Sequence, residues 1–73
     1  MTYTLTGEYI ELHKLLKILD LVDTGGQAKV IIENEHVLRN GELETRKRAK
    51  IRTGEQIQVG DIVININWLL IEF

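Results

Sequence analysis

The hydrophobic pattern changes from strand-like to helix-like within the first twenty residues. Tyr3 and Leu5 alternate with threonines over residues 1–6, and this period of two predicts a short strand. From Leu12 onwards the apolar positions are three and four residues apart, which predicts an amphipathic helix that ends near residues 20–23. Its apolar face should consist of Leu12, Leu15, Leu16 and Leu19.

The stretch DTGGQAKVIIEN, residues 23–34, predicts a second helix. Thr24 and Gln27 have the spacing of a capping box, in which Thr24 accepts from the amide of Gln27 and Gln27 reaches back to the amide of Thr24. The helix should end at Asn34. Because the link from the first helix is short, the two helices should form a tight hairpin. The buried stripe of the second helix is predicted to be Ala28, Ile31 and Ile32.

Strand and turn signals dominate after His36. Asn40-Gly41 predicts a type I′ hairpin, and Thr53-Gly54 predicts another turn. Two alternating segments, residues 56–59 and 62–66, flank Gly60-Asp61 and predict a second two-residue hairpin. The second half of the chain is therefore predicted to form a small sheet.

Composition limits the class of protein. A chain of 73 residues predicts one domain over residues 1–73, and a hydrophobic fraction of 44% is enough for a core. No membrane-length apolar run and no cysteine are present, so we expect a cytoplasmic protein without disulfides. His13 and His36 do not have a metal-ligand spacing, and no nucleophile has a base at a suitable spacing. We therefore expect no metal, no cofactor and no enzymatic activity.

The run ETRKRAKIR, residues 44–52, concentrates positive charge in a chain of net charge −2. Five of its last seven residues are basic, and in an extended chain alternate ones would share a face. One interpretation is a solvated face with Glu42 and Glu44 as partners. The other is an anion-binding face, because phosphate contacts release counterions whereas exposed ion pairs contribute only about 0–1 kcal/mol.

The start of the second helix is another candidate anion site. The first amides of a helix have no intrahelical acceptor, and the helix dipole adds partial positive charge there. Gly25 and Gly26 would allow a phosphate to approach the backbone, and Lys29 follows one turn later. The alternative is that the two glycines only form a tight corner.

The order and content of these segments resemble the S-four RNA-binding domain, and within it the small stand-alone YbcJ/YaaA-like family. The resemblance is carried by IELHKLLKIL at residues 10–19, TGGQAK at 24–29 and NGELETRKRAKI at 40–51. It implies an α+β fold in which a helical hairpin, the alpha-L motif, packs on a small twisted, mainly antiparallel sheet. The core of the domain would be about residues 10–59.

The resemblance also implies a non-catalytic module that binds structured RNA. We expect the protein to be a monomer or weak homodimer. The chain departs from the family pattern at Glu35, where glycine is usual, and at Arg39, where an apolar residue is usual. We expect shape and backbone recognition, since the aromatic residues lie outside the basic segment in sequence. Carried over by position, the RNA-binding residues would be Gly25, Gly26, Gln27, Lys29, Arg39, Asn40, Arg46, Lys47, Arg48 and Lys50.

The apolar tail WLLIEF, residues 68–73, supports an alternative function. It could be the contact surface of a small protein-interaction module. We expect instead that the tail packs on or beside the sheet near Tyr3 and Leu5, because a free apolar tail would favour aggregation.

Overall fold

The computed structural model describes residues 1–68, and this part of the chain forms an α+β fold. The sequence expectation of two helices and a small sheet is confirmed. The elements are β1 (Thr2–Leu5), β2 (Ile10–Glu11), α1 (Leu12–Ile18), α2 (Gly25–Glu33), β3 (Val37–Arg39), β4 (Glu42–Leu43), β5 (Lys50–Ile51), β6 (Gln56–Val59) and β7 (Ile62–Trp68).

The main sheet has five strands in the order β1-β7-β6-β3-β4. All neighbours are antiparallel except β1 and β7, which are parallel and pair from Thr2 with Asn65 to Leu5 with Trp68. A parallel pair needs a long connection, and here both helices and all the intervening strands lie between the two strands. A separate antiparallel ladder joins β2 to β5.

One cluster of buried apolar residues lies between the helices and the sheet. Leu12, Leu15 and Leu16 of α1 are fully buried, as the helical spacing predicts. Leu19 and Ile31, also predicted to face inwards, are only partly buried against this cluster. The other fully or almost fully buried members are Ala28, Ile32, Val37, Ile51, Ile57, Ile64 and Ile66. That residues 1–73 form a single domain stays a prediction.

Two hairpin turns have the backbone that their sequences predict. Asn40 and Gly41 both have positive φ, 52° and 85°, which a type I′ turn requires. Gly60 has φ 59° at the first position of the turn between β6 and β7, where a type II′ turn places glycine. These turns set the register of β3 with β4 and of β6 with β7.

Helix α1 ends at Ile18, two residues before the predicted range. The amide of Leu21 donates to the carbonyl of Leu16 at 3.0 Å, and the amide of Asp20 to that of Lys17 at 3.1 Å. These two bonds define a Schellman motif, in which the residue after the C-cap is left-handed. Asp20 fills this position with φ 61°.

Helix α2 ends at Glu33 with Asn34 as its C-cap, as predicted. It ends with the same Schellman motif, since the amide of His36 donates to the carbonyl of Ile31 at 3.2 Å and the amide of Glu35 to the carbonyl of Ile32 at 3.3 Å. Glu35 has φ 65°, which explains why the resembling family usually has glycine there.

The capping box of α2 differs by one residue from the prediction. The hydroxyl of Thr24 accepts from the amide of Gln27 at 3.1 Å, as expected. The side-chain oxygen of Gln27, however, accepts from the amide of Asp23 at 2.7 Å and not from that of Thr24. The longer side chain thus reaches one residue further back and fixes the link between the helices.

Trp68 is the last described residue, and 67% of its surface is exposed although its backbone pairs with Leu5. The prediction that the tail packs on the sheet concerns mainly residues 69–73, which lie outside the described residues. The alternative of a protein-interaction module depends on the same residues.

Candidate nucleic-acid interface

The basic run forms a turn followed by a very short strand. The amide of Ala49 donates to the carbonyl of Arg46 at 3.1 Å, so the chain reverses at Lys47 and Arg48. Only Lys50–Ile51 is extended, and it pairs with Ile10–Glu11. The alternate basic residues therefore do not share one strand face, and the extended arrangement considered from sequence is wrong.

The turn is held in place because it caps helix α1. Glu11, the N-cap residue, makes no capping bond with its side chain. Instead the amides of Leu12 and His13 donate to the carbonyls of Ala49 and Lys47, both at 3.0 Å. Helix amides without an intrahelical acceptor thereby find partners in the basic segment. The turn that carries Lys47 and Arg48 is thus attached to the start of helix α1.

A buried carboxylate lies beneath one end of the run. Glu44 is only 6% exposed, and its two oxygens accept from Nε and Nη2 of Arg46, both at 3.1 Å. Arg39 Nη1 donates to the same carboxylate at 3.1 Å. The hydrogen bonds from Arg46, with that from Arg39, lower the pKa of Glu44 to about 2 against the opposing effect of burial. Glu44 therefore forms a bidentate ion pair with Arg46 and a second ion pair with Arg39.

The guanidinium of Arg39 donates all of its observed hydrogen bonds to groups of the protein itself. Its Nε and Nη2 donate to the two oxygens of Glu55 at 2.8 and 3.0 Å, and Nη2 also donates to the carbonyl of Lys50 at 2.8 Å. Hydrogen bonds to Glu55 and Glu44 raise the pKa of Arg39. The guanidinium thus joins β3, β5 and the turn before β6, and it supports the basic surface from behind.

Glu55 completes this support. Burial raises the pKa of Glu55, but hydrogen bonds from Arg39 and from the amide of Arg52 outweigh it, so the pKa is lowered overall. The side chain of Asn40 donates to Glu55 at 3.3 Å and accepts from the amide of Gln56 at 2.9 Å. Asn40, a predicted RNA contact, therefore has a demonstrated role in the turn.

The remaining cations have no ion-pair partner among residues 1–68. They are Lys47, Arg48, Lys50 and Arg52, and all except the half-buried Lys47 are exposed. A shallow groove of about 390 Å³ runs between the basic side chains; its lining is Arg39, Arg46, Arg48, Ala49, Lys50 and Arg52. Because Arg39 and Arg46 are paired with Glu55 and Glu44, the unpaired cations of this lining are Arg48, Lys50 and Arg52, and Lys47 precedes Arg48 in the turn. We call this surface the basic groove, since its field is positive.

An aromatic ring lies beside the basic groove, although it is distant in sequence. The Nζ of Lys50 is 5.0 Å and the Cζ of Arg52 is 5.7 Å from the ring centre of Tyr9. Both distances are typical of cation–π contacts. The pairing of β2 with β5 produces this arrangement, and it corrects the expectation that the aromatic residues are remote from the basic segment. Tyr9 and Arg52 were not among the predicted site residues.

The start of helix α2 has the features predicted for an anion site. Gly25 and Gly26 are exposed, and their amides have no acceptor within residues 1–68. A Cβ at Gly25 would meet no atom within 4 Å, and one at Gly26 would only touch the Thr24 hydroxyl at 3.7 Å. The fold therefore does not require glycine at either position, and Lys29 is exposed nearby in sequence.

The described contacts do not join the two predicted halves of the site. Over residues 1–68, no hydrogen bond or ion pair connects the start of α2 with the basic groove. Gly26 and Gln27 line a separate, mainly apolar hollow with Leu21, Val22, Val30 and Ile31. The two regions are therefore separate candidate contacts.

Two further findings concern other classes of protein. None of the helices in the described part of the chain is long and apolar enough to cross a membrane. Within residues 1–68, no group of three or more His, Asp or Glu side chains is placed to hold a metal ion.

Comparison with known sequences gives one family and two informative relatives. The family model described as the S4 domain matches residues 3–67. Over 49 residues the chain is 41% identical to "Putative RNA-binding protein YbcJ" of Escherichia coli. The match covers 67% of this chain and 70% of that protein. Over 52 residues it is 33% identical to "Probable ribosome maturation protein RlbA" of Bacillus subtilis, and the match covers 71% of this chain and 73% of that protein.

Two solved structures are similar. The solution structure of YbcJ from Escherichia coli, described as having an alpha-L motif involved in RNA binding, has a TM-score of 0.70 at 33% identity. The match covers 90% of this chain and 85% of YbcJ. A crystal structure of pseudouridylate synthase has a TM-score of 0.69 at 23% identity, and the match covers 77% of this chain but 24% of that protein. This second likeness concerns the fold alone.

Proposed function

This chain belongs to the S4-domain family, and we propose that it binds structured RNA through the phosphate contacts of its basic groove. The family match and the relatedness to YbcJ make it an RNA-binding module. The single observation that carries the proposed site is the set of three cations without an ion-pair partner among the described residues, Arg48, Lys50 and Arg52, that line one groove. We further propose that the module binds without catalysing a reaction, as a monomer or weak homodimer.

The chemistry of the basic groove suits an RNA backbone. Lys47, Arg48, Lys50 and Arg52 offer charge to phosphates, while Arg39 and Asn40 position the strand and turn behind them. Double-helical RNA is recognised mainly by shape, phosphates and 2′-hydroxyl groups, and charges on a turn that is hydrogen-bonded to the start of a helix suit such a target. Arg46 contributes less than its sequence suggests because Glu44 holds it.

The start of α2 is proposed as a second phosphate contact. The free amides of Gly25 and Gly26 can donate to a phosphate at the positive end of the helix dipole, and Lys29 adds charge. Gln27 has a structural role, since it caps the helix through Asp23. The fold would accept alanine at Gly25 and Gly26, so the presence of glycine at both positions supports the close approach of a ligand to the backbone.

Ribosomal RNA is the first target to test. The Bacillus subtilis relative bears the name of a ribosome maturation protein, and we propose the same class of RNA for this chain.

A salt titration with a double charge reversal tests the proposal. For about four phosphate contacts, the slope of log K against log salt should be on the order of −3 to −4. Arg48→Glu with Lys50→Glu removes two of these contacts, so the slope should become shallower by about 2, and binding to different structured RNAs should weaken alike.

Lys17→Glu is the matched control, because Lys17 is an exposed cation on the last turn of α1, away from the groove residues in the described contacts. Its salt slope should stay close to that of the wild type. Equal slopes for all three folded proteins would mean that the basic groove is only a solvated surface.

A further inference from the structure

The basic groove continues into a hollow of different chemistry. Arg52 lines both the groove and an adjacent hollow of about 450 Å³, whose other lining residues are Glu8, Thr53 and Trp68. Trp68 is 67% exposed, and Tyr9, next to Glu8 in the chain, is 41% exposed. Arg52 thus connects two exposed aromatic residues at the end of the basic groove, since it contacts the ring of Tyr9 and lines the hollow with Trp68.

The charges of this hollow do not suit a phosphate. The lining of the hollow combines the carboxylate of Glu8 with the guanidinium of Arg52, so its formal charges balance where Trp68 is exposed. Nucleobases, in contrast, stack on aromatic rings and on arginine planes, and their polar edges can bond to a carboxylate. The Cζ of Arg52 already lies 5.7 Å from the ring centre of Tyr9, which holds the guanidinium beside an aromatic face.

We propose that Tyr9, Arg52 and Trp68 bind an unpaired nucleotide that adjoins the RNA double helix held by the basic groove. This inference rests on the proposed function, since the groove must first bind RNA. It adds a base-binding subsite at one end of a surface that otherwise contacts only the backbone. The preferred target is therefore a helix with an overhang or a loop at its end.

The test compares two RNA hairpins of identical charge. One carries a three-nucleotide single-stranded overhang, and the other carries the same overhang as abasic nucleotides, which retain the phosphates but cannot stack. Because stacking contributes about 1–3 kcal/mol per base, wild-type protein should bind the complete overhang about 5- to 150-fold more tightly. Trp68 is the only tryptophan in the chain, so its fluorescence should be quenched more by the complete overhang.

Variants at Tyr9 separate stacking from charge positioning. Tyr9→Leu should abolish most of the preference for the complete overhang, so its affinity should fall much more for the complete overhang than for the abasic hairpin. Tyr9→Phe keeps the ring and should retain the preference. A Tyr9→Leu protein that loses affinity for both hairpins with a shallower salt slope would show that Tyr9 only orients Lys50 and Arg52, and it would overturn the subsite.

The failures of the two proposals are distinguishable. Wild-type protein that binds both hairpins equally, with equal quenching of Trp68, overturns the base-binding subsite and leaves the proposed function standing. Wild-type protein that binds neither hairpin at low salt overturns both. The fluorescence measurement uses unmodified protein and therefore does not depend on whether any variant folds.

Discussion

Replacing Glu44 by glutamine tests the buried charge cluster under the basic groove. The substitution keeps the size of the side chain but removes its charge. Arg46 then loses a paired carboxylate, and Arg39 retains only Glu55 as an acidic partner. We expect the free energy of unfolding at neutral pH to fall, because a carboxylate that accepts four hydrogen bonds is replaced by a neutral amide.

The pKa of Glu44 sets the size of this effect. A fall from 4.5 to about 2 corresponds to about 3 kcal/mol of preference for the charged form in the folded protein. Arg46 is 73% exposed, so solvent screens the attraction and reduces the expected loss to about 1–2 kcal/mol.

The sign of the pH dependence follows from the lowered pKa. The carboxyl group binds protons more weakly in the folded than in the unfolded chain, so its stabilisation is fully present above about pH 4.5. It is lost as the pH falls towards about 2. The difference in stability between wild type and Glu44→Gln should therefore be constant near neutrality and shrink across this acidic range.

Urea unfolding followed by circular dichroism at a series of pH values measures both quantities. Glu42→Gln is the matched control, because Glu42 lies in the same hairpin, is exposed and has no ion pair among the described residues. Its stability should change by less than about 0.5 kcal/mol at every pH. If Glu44→Gln and Glu42→Gln behave alike, or if the Glu44→Gln difference persists unchanged at pH 2, the assigned network is wrong.

Three further predictions concern the helix ends and Arg39. Glu35→Gly should raise the free energy of unfolding by about 0.5–1 kcal/mol, because the left-handed backbone at this position favours glycine. Glu33→Gly, at the last residue of α2, should lower it instead. Thermal melting of both variants measures the two changes. Gly25→Ala should stabilise by about 0.4–1 kcal/mol yet weaken RNA binding, and unchanged affinity would remove this helix start from the site. Arg39→Gln should lower the free energy of unfolding in urea by about 1–3 kcal/mol, because it removes the hydrogen bonds to Glu55. The slope of log K against log salt for RNA binding should stay near that of the wild type. A shallower slope in the folded variant would make Arg39 a direct contact.

Features that depend on neighbouring residues were predictable from the sequence. Thr24 caps α2 through an amide three residues away, and the Asn40-Gly41 turn needs only the backbone freedom of its own two residues. The leucines of α1 face the core because their spacing matches the helical repeat. The resemblance to the S-four domain combined these local signals into the correct fold class and the correct kind of partner.

Contacts between distant segments of the chain decide which cations of the basic groove are paired and which aromatic residue lies beside them. From the sequence, Arg46 is one of the cations of the basic run and Arg39 is one more cation before it, but folding gives them Glu44 and Glu55 as partners. The ladder of β2 with β5 brings Tyr9 to Lys50, residues that are far apart along the chain.

The sequence by itself thus determined the helices, the hairpin turns and the presence of a strongly basic segment, because each depends on interactions within a few residues. Only the tertiary structure decided which of those charges remain unpaired and which aromatic residues accompany them. The physical reason is that charge pairing and aromatic contact act through space over a few ångströms, whereas the residues involved are brought together by strand pairing and by the docking of the basic turn on helix α1.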